Sequence, residues 1–107
     1  MDKLLLEQTL EEMVRRIVRV AHTRQVILFG SAARGEMGPH SDLDLLVVVA
    51  SPAHRRRLAH TIYRNLVGVG FAADIVVVTT QDLDRYQEQP YTVIRPALEE
   101  GRVIYAA

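Results

Sequence analysis

The sequence predicts an α/β (α+β) chain: a mixed β-sheet of three to four strands with helices packed on it. Two apolar runs, residues 43–49 and 71–78, hardly alternate with polar residues, so both faces of those strands are covered, as they are between helix layers. Segments whose apolar residues recur at helical spacing precede, separate and follow the strands. The link between the first two strands is too short for a full crossover helix, which suits an antiparallel pair. A helix separates the second and third strands, which suits a parallel pair.

Residues 4–21 place Leu6, Leu10, Met13, Val14, Ile17, Val18 and Ala21 on one stripe, with Glu7, Glu11, Glu12, Arg15, Arg16 and Arg19 opposite. This is an amphipathic helix, with Glu11–Arg15 and Glu12–Arg16 as expected i,i+4 pairs. Residues 26–29, Val-Ile-Leu-Phe, are a short buried strand stopped by Gly30. Ser31 to Arg34 can hold one helical turn, and Gly35, Gly38 and Pro39 keep the chain irregular to His40. Residues 43–49 form the second strand. Ser51 as N-cap and Pro52 at the first helical position open the next helix. Leu58, Ala59, Ile62, Tyr63 and Leu66 make its core stripe, and Gly68 or Gly70 ends it. The third strand, residues 71–78, is interrupted by Asp74. Thr80 is placed to cap a short helix through Tyr86. Pro90 opens another, with Val93, Ile94, Ala97 and Leu98 inward and Pro96 in its first turn or bending it. Gly101 stops that helix, and residues 103–105 form an edge strand.

The 107 residues are read as one domain, 1–107. Lys plus Arg equals Asp plus Glu at 13 each, so no global field recruits nucleic acid or an anionic membrane, and no direct nucleic-acid binding is expected. The absence of cysteine excludes disulfides and thiolate metal sites. No apolar run is long enough to span a bilayer, and the N-terminus meets acidic residues too soon for a secretory signal. A cytoplasmic protein is the expectation.

The candidate chemistry lies between residues 29 and 49, with one further carboxylate. Asp42 and Asp44 are two apart, so on a strand they share a face within roughly 7 Å, at about 3.3 Å per residue. Like charges so placed raise each other's pKa and call for a cation, and hard oxygen ligands select Mg²⁺ or Mn²⁺. Asp42 could equally serve as a turn or cap residue. Asp74 sits in Phe-Ala-Ala-Asp-Ile-Val-Val-Val, where an unpaired buried carboxylate would cost several kcal/mol, so it is expected to be ligating, salt-bridged or near a strand end. If its strand neighbours the second, three acids converge, as a two-metal site for phosphoryl or nucleotidyl transfer requires. One of them, Asp74, could accept the proton from the nucleophile. Gly30 lets backbone approach a ligand, the N–H groups of the following turn favour anions, and Ser31 adds a hydroxyl donor. Together these suit nucleotide phosphates, with Arg34 as a further contact. No Gly-Lys-Ser/Thr follows, so the turn is not a P-loop.

Gly30-Ser31, ten residues, then Asp42-x-Asp44 resembles the signature of the DNA polymerase β-type nucleotidyltransferase superfamily. Residues 28–35, Leu-Phe-Gly-Ser-Ala-Ala-Arg-Gly, and 41–45, Ser-Asp-Leu-Asp-Leu, are most similar to its minimal nucleotidyltransferase (MNT) branch, often paired with a HEPN-domain protein in toxin–antitoxin modules. Residues 100–105, Glu-Gly-Arg-Val-Ile-Tyr, resemble the family's typical end. The resemblance implies two Mg²⁺ held by Asp42 and Asp44, with Asp74 as the third acid. It implies ATP as substrate, its triphosphate held at Gly30 and Ser31. It implies transfer of AMP to a hydroxyl with release of pyrophosphate, the acceptor being a tyrosine of a HEPN ribonuclease toxin that the modification silences. The chain would then be an antitoxin whose acceptor surface comes from the partner or from a second copy. The alternatives are a non-catalytic module that neutralises its partner sterically and a nucleotidyltransferase for a small molecule such as an aminoglycoside.

The other features read as scaffold. Arg55, Arg56 and Arg57 are expected on a solvated helix face, with an acidic partner, or nucleic acid held by one, as the functional use. His22, His40, His54 and His60 show no ligand spacing, and only His40 lies near the acids. Tyr91 and Tyr105 are expected to pack rather than accept AMP. Leu4 and Leu5 are expected in the core rather than at an interface.

Overall fold

The structure, a computed structural model, describes residues 3–36, 38, 42–50, 54–86 and 94–107. Helix α1 (Lys3–Val20) leads into β1 (Thr23–Phe29), the short helix α2 (Gly30–Ala33) and β2 (Leu43–Val49). Helix α3 (Arg55–Asn65), β3 (Ala73–Thr79), α4 (Thr80–Tyr86), α5 (Ile94–Glu100) and β4 (Arg102–Ala106) follow. The four strands form one sheet in the order β3-β2-β1-β4. β1 is antiparallel to β2 and to β4, and β2 is parallel to β3, as expected for a short first link and a helical second one. β4 is the expected edge strand.

Side chains alternate across the sheet, and two cores result. Val26 and Leu28 of β1, Leu45 and Val47 of β2 and Val77 of β3 face Leu10, Met13 and Ile17 of α1 and Ile62 of α3. Ile27, Leu46, Val48 and Val78 face Ile94 and Ala97 of α5, with Leu83 of α4 packed against them. The long helices therefore cover one face and the short helices the other, which is why β2 carries no polar alternation beyond Asp44.

Several elements depart from expectation. β1 begins at Thr23 rather than Val26, because backbone pairing with β2 extends to Thr23↔Val49 through an irregularity after Thr23. β3 begins at Ala73 rather than Phe71. Leu4 and Leu5 are exposed, 63% and 47%, not in the core: they lie on the first turn of α1, and its buried residues begin at Thr9. Arg15 pairs with Glu12 at 2.6 Å rather than with Glu11, while the expected Glu12–Arg16 pair forms at 3.0 Å. Tyr63 is exposed rather than in the core stripe of α3, and its hydroxyl accepts the Ile75 N–H at 2.8 Å, satisfying a backbone donor of edge strand β3.

Helix α4 is capped by Thr79 and not Thr80. The Asp82 N–H donates to Thr79 Oγ1 at 3.0 Å and the Thr79 N–H donates to Asp82 Oδ2 at 2.9 Å, a reciprocal capping box. Arg55 closes the arrangement with an ion pair to Asp82, so this arginine is not simply solvated. Pro96 lies in the first turn of α5, where its missing N–H is tolerated. Gly101 ends α5 with its N–H on the Ala97 carbonyl at 2.9 Å. A Cβ there would stand 2.1 Å from that carbonyl oxygen and 2.6 Å from Ile27 Cγ2. The expected start of α3 at Ser51 and Pro52, the opening of α5 at Pro90, and Val93 lie outside the described residues.

Candidate active site

Two strand ends and one turn build the site. Phe29, the last residue of β1, lies opposite Asp44 in the antiparallel register, and Asp44 lies opposite Asp74 in the parallel register. Paired residues of neighbouring strands point to the same face. Asp44 and Asp74 therefore stand side by side, on the face that carries Leu46, Val48 and Val78 toward the short helices. Asp42 immediately precedes the strand and is exposed.

Asp74 is exposed as well, at the second position of β3. Of the three situations expected for such an acid, ligating, salt-bridged or near a strand end, the last holds: the strand end leaves the side chain open to water. Asp44 is the enclosed member. Burial raises its carboxyl above the ordinary range, the charges of Asp74 and then Asp42 raise it further, and Arg34 opposes them. The three acids thus share one electrostatic neighbourhood. Among the described residues, no three His, Cys, Asp or Glu side chains converge tightly enough to hold a metal ion by themselves. The donor set is nonetheless all hard oxygen, which suits Mg²⁺, an ion that commonly takes one or two carboxylates and fills its shell with water and substrate phosphate.

Gly30 closes the site from below. Its φ is 73°, the left-handed region, and a Cβ built on it would stand 2.2 Å from Asp44 Oδ2. The turn and the carboxylate are thus in direct apposition, and only glycine meets both requirements. Ser31 follows, half-buried, with its carbonyl accepting the Glu36 N–H at 2.8 Å. Arg34 pairs through Nε with Glu36 at 3.0 Å and through Nη1 with Glu100 at 3.7 Å. The Glu36 hydrogen bond, then the charges of Glu36, Glu100 and Asp44, raise the pKa of its guanidinium against desolvation. Glu36 and Glu100 were not expected at the site. Glu100 reaches Arg34 only because α5 packs beside α2, and no local spacing announces that. Met37 and His40 lie outside the described residues, as does Tyr91, whereas Tyr105 packs half-buried against the larger core as expected.

Residues 6–104 match the nucleotidyltransferase domain family. The chain belongs to that family, and is a nucleotidyltransferase domain. No curated protein matches the sequence. Among solved structures it is similar to a Sulfolobus solfataricus protein described as a nucleotidyltransferase. That likeness has a TM-score of 0.66 at 19% identity and covers 94% of this chain and 79% of the other. It is also similar to a chain in the complex of tri-AMPylated Shewanella oneidensis HEPN toxin with MNT antitoxin, with a TM-score of 0.55 at 17% identity, covering 94% and 73%. A third is spectinomycin adenyltransferase AAD(9) from Enterococcus faecialis, with ATP and spectinomycin, with a TM-score of 0.62 at 16% identity, covering 90% and 56%. These likenesses establish the fold.

Proposed function

We propose that this single domain transfers AMP from ATP to a tyrosine hydroxyl of a HEPN-domain toxin, with Mg²⁺ as cofactor, and so acts as the antitoxin. The observation that carries the catalytic part is the in-register pair Asp44 and Asp74 above a left-handed glycine with no room for a side chain. The partner is proposed from the fold likeness to the MNT–HEPN complex and from the motif resemblance.

In this reading Asp42, Asp44 and Asp74 are the catalytic and metal-binding acids, and Gly30, Ser31 and Arg34 bind the nucleotide. Bound Mg²⁺ would neutralise the acids and the triphosphate and stabilise charge in the transition state. Gly30 admits the phosphates close to the backbone, while the Ser31 hydroxyl and the Arg34 guanidinium donate to them. The acceptor oxygen forms a bond to the α-phosphorus, the bond to the β-phosphate oxygen breaks, and pyrophosphate leaves. The acceptor proton passes to Asp74, whose carboxylate is exposed.

The test is label transfer from α-labelled ATP onto a co-purified HEPN partner. It should be lost in Asp42→Ala and Asp44→Ala. Full neutralisation of the toxin by the double variant would instead establish steric inhibition. The likeness to a spectinomycin adenyltransferase keeps a small-molecule acceptor as the second reading, which label transfer to an aminoglycoside without partner protein would support.

A further inference from the structure

Residues 54–65 carry four arginines and two histidines and no acid, which leaves nine Lys and Arg against 13 Asp and Glu in the rest of the chain. The neutral total therefore conceals a strongly cationic helix. Its outer face forms an open groove of about 530 Å³ lined by His54, Arg56, Arg57, His60 and Arg64. All five are exposed. Arg55 is drawn off by Asp82, but among the described residues Arg56, Arg57 and Arg64 have no carboxylate partner. Arg56, His60 and Arg64 recur every four residues, a straight stripe of roughly 12 Å at about 1.5 Å per residue. The ring of Tyr63, 40% exposed, lies on the same helix. Helix α3 covers the sheet face opposite to the one carrying Asp44 and Asp74, so this surface is separate from the nucleotide site.

We infer that the outer face of α3 binds the phosphate backbone of a single-stranded nucleic acid. The lining decides between a nucleic acid and an acidic protein. A protein interface needs an apolar centre around which water is excluded, and this groove has no apolar lining residue. Interfaces with nucleic acid are polar and strongly positive. Guanidinium forks match phosphate oxygens, and an exposed aromatic ring offers a platform for a base. The inference replaces the expectation, drawn from net charge alone, that the chain does not touch nucleic acid.

The experiment is fluorescence anisotropy of the full chain with a labelled uridine 20-mer, titrated at 50 and 200 mM salt. Three phosphate contacts on a single strand give a log–log salt slope of about −2, so affinity should fall roughly twentyfold over that range. The triple variant Arg56→Ala, Arg57→Ala, Arg64→Ala should lose at least tenfold in affinity at 50 mM salt and most of the slope. The triple lysine variant should keep the slope. These positions are exposed, so circular dichroism should be unchanged. No binding at 50 mM salt, equal binding by the alanine variant, or equally tight binding of a polyglutamate of the same charge would each overturn the inference.

Discussion

A methyl group on Gly30 would stand 2.2 Å from Asp44 Oδ2 on a backbone with φ of 73°. Gly30→Ala must therefore both strain the turn, by about 1–2 kcal/mol, and push the carboxylate aside. A displacement of about 1 Å at a reacting centre can cost a hundredfold. The expected outcome is a fall of that order in adenylyl transfer with the chain still folded, read by label transfer alongside circular dichroism. Asp44 itself makes the opposite exchange. Burial, then Asp74 and Asp42, raise its carboxyl in the folded state. The folded chain therefore binds that proton more tightly than the unfolded one. Stability falls as pH rises from the unfolded value near 3.9 through the raised folded value. Asp44→Asn removes this loss. Its melting temperature at pH 7 should exceed the parent's by a few degrees while transfer is abolished; a lower melting temperature would show that the carboxylate stabilises the metal-free fold.

At the scale of elements, the capping box of α4 joins three segments, because Asp82 meets Thr79 at the end of β3 and Arg55 at the start of α3. Burial pushes the Asp82 carboxyl up, but the Thr79 N–H, the Arg55 guanidinium and the Thr79 hydroxyl outweigh it and leave it lowered. The network is thus intact above the unfolded value near 3.9 and is lost as pH falls through the lowered folded value. Asp82→Ala should cost about 2 kcal/mol at pH 7, the upper range of a cap, as measured by urea unfolding, and the deficit should shrink toward pH 3. What the sequence made legible follows the same logic. β2 was readable to both ends because burial on two faces writes an apolar run broken only at Asp44. The start of β1 was not, since Thr23 and Gln25 are held by backbone pairing, which leaves no mark in side-chain polarity. The approach of Asp74 to Asp44 was legible because the expected parallel pairing of their strands brings them side by side. The Arg34–Glu100 contact was not, because only the packing of α5 beside α2 creates it.

At the scale of the molecule, the chain measures 36 × 28 × 22 Å, and repelling acids sit at one end of its sheet. A cation with a triphosphate should relieve that repulsion and stabilise the whole fold by mass action. Mg²⁺ with a non-hydrolysable ATP analogue at about a hundred times its Kd should add about 2.7 kcal/mol. In a chain of this size, that raises the melting temperature by ten degrees or more. The same addition to the Asp42→Ala, Asp44→Ala variant should shift it far less, and an equal shift in both would remove the acids from the binding site.

Gly101 bears on how these molecules behave in a crowd. Without a side chain there, the end of α5 settles onto Ile27 and Leu28, and the last strand is delivered to the free side of β1. Any larger residue would wedge that strand away and leave a row of unsatisfied amides and carbonyls beside an apolar surface. The defect would then show first as clumping between copies.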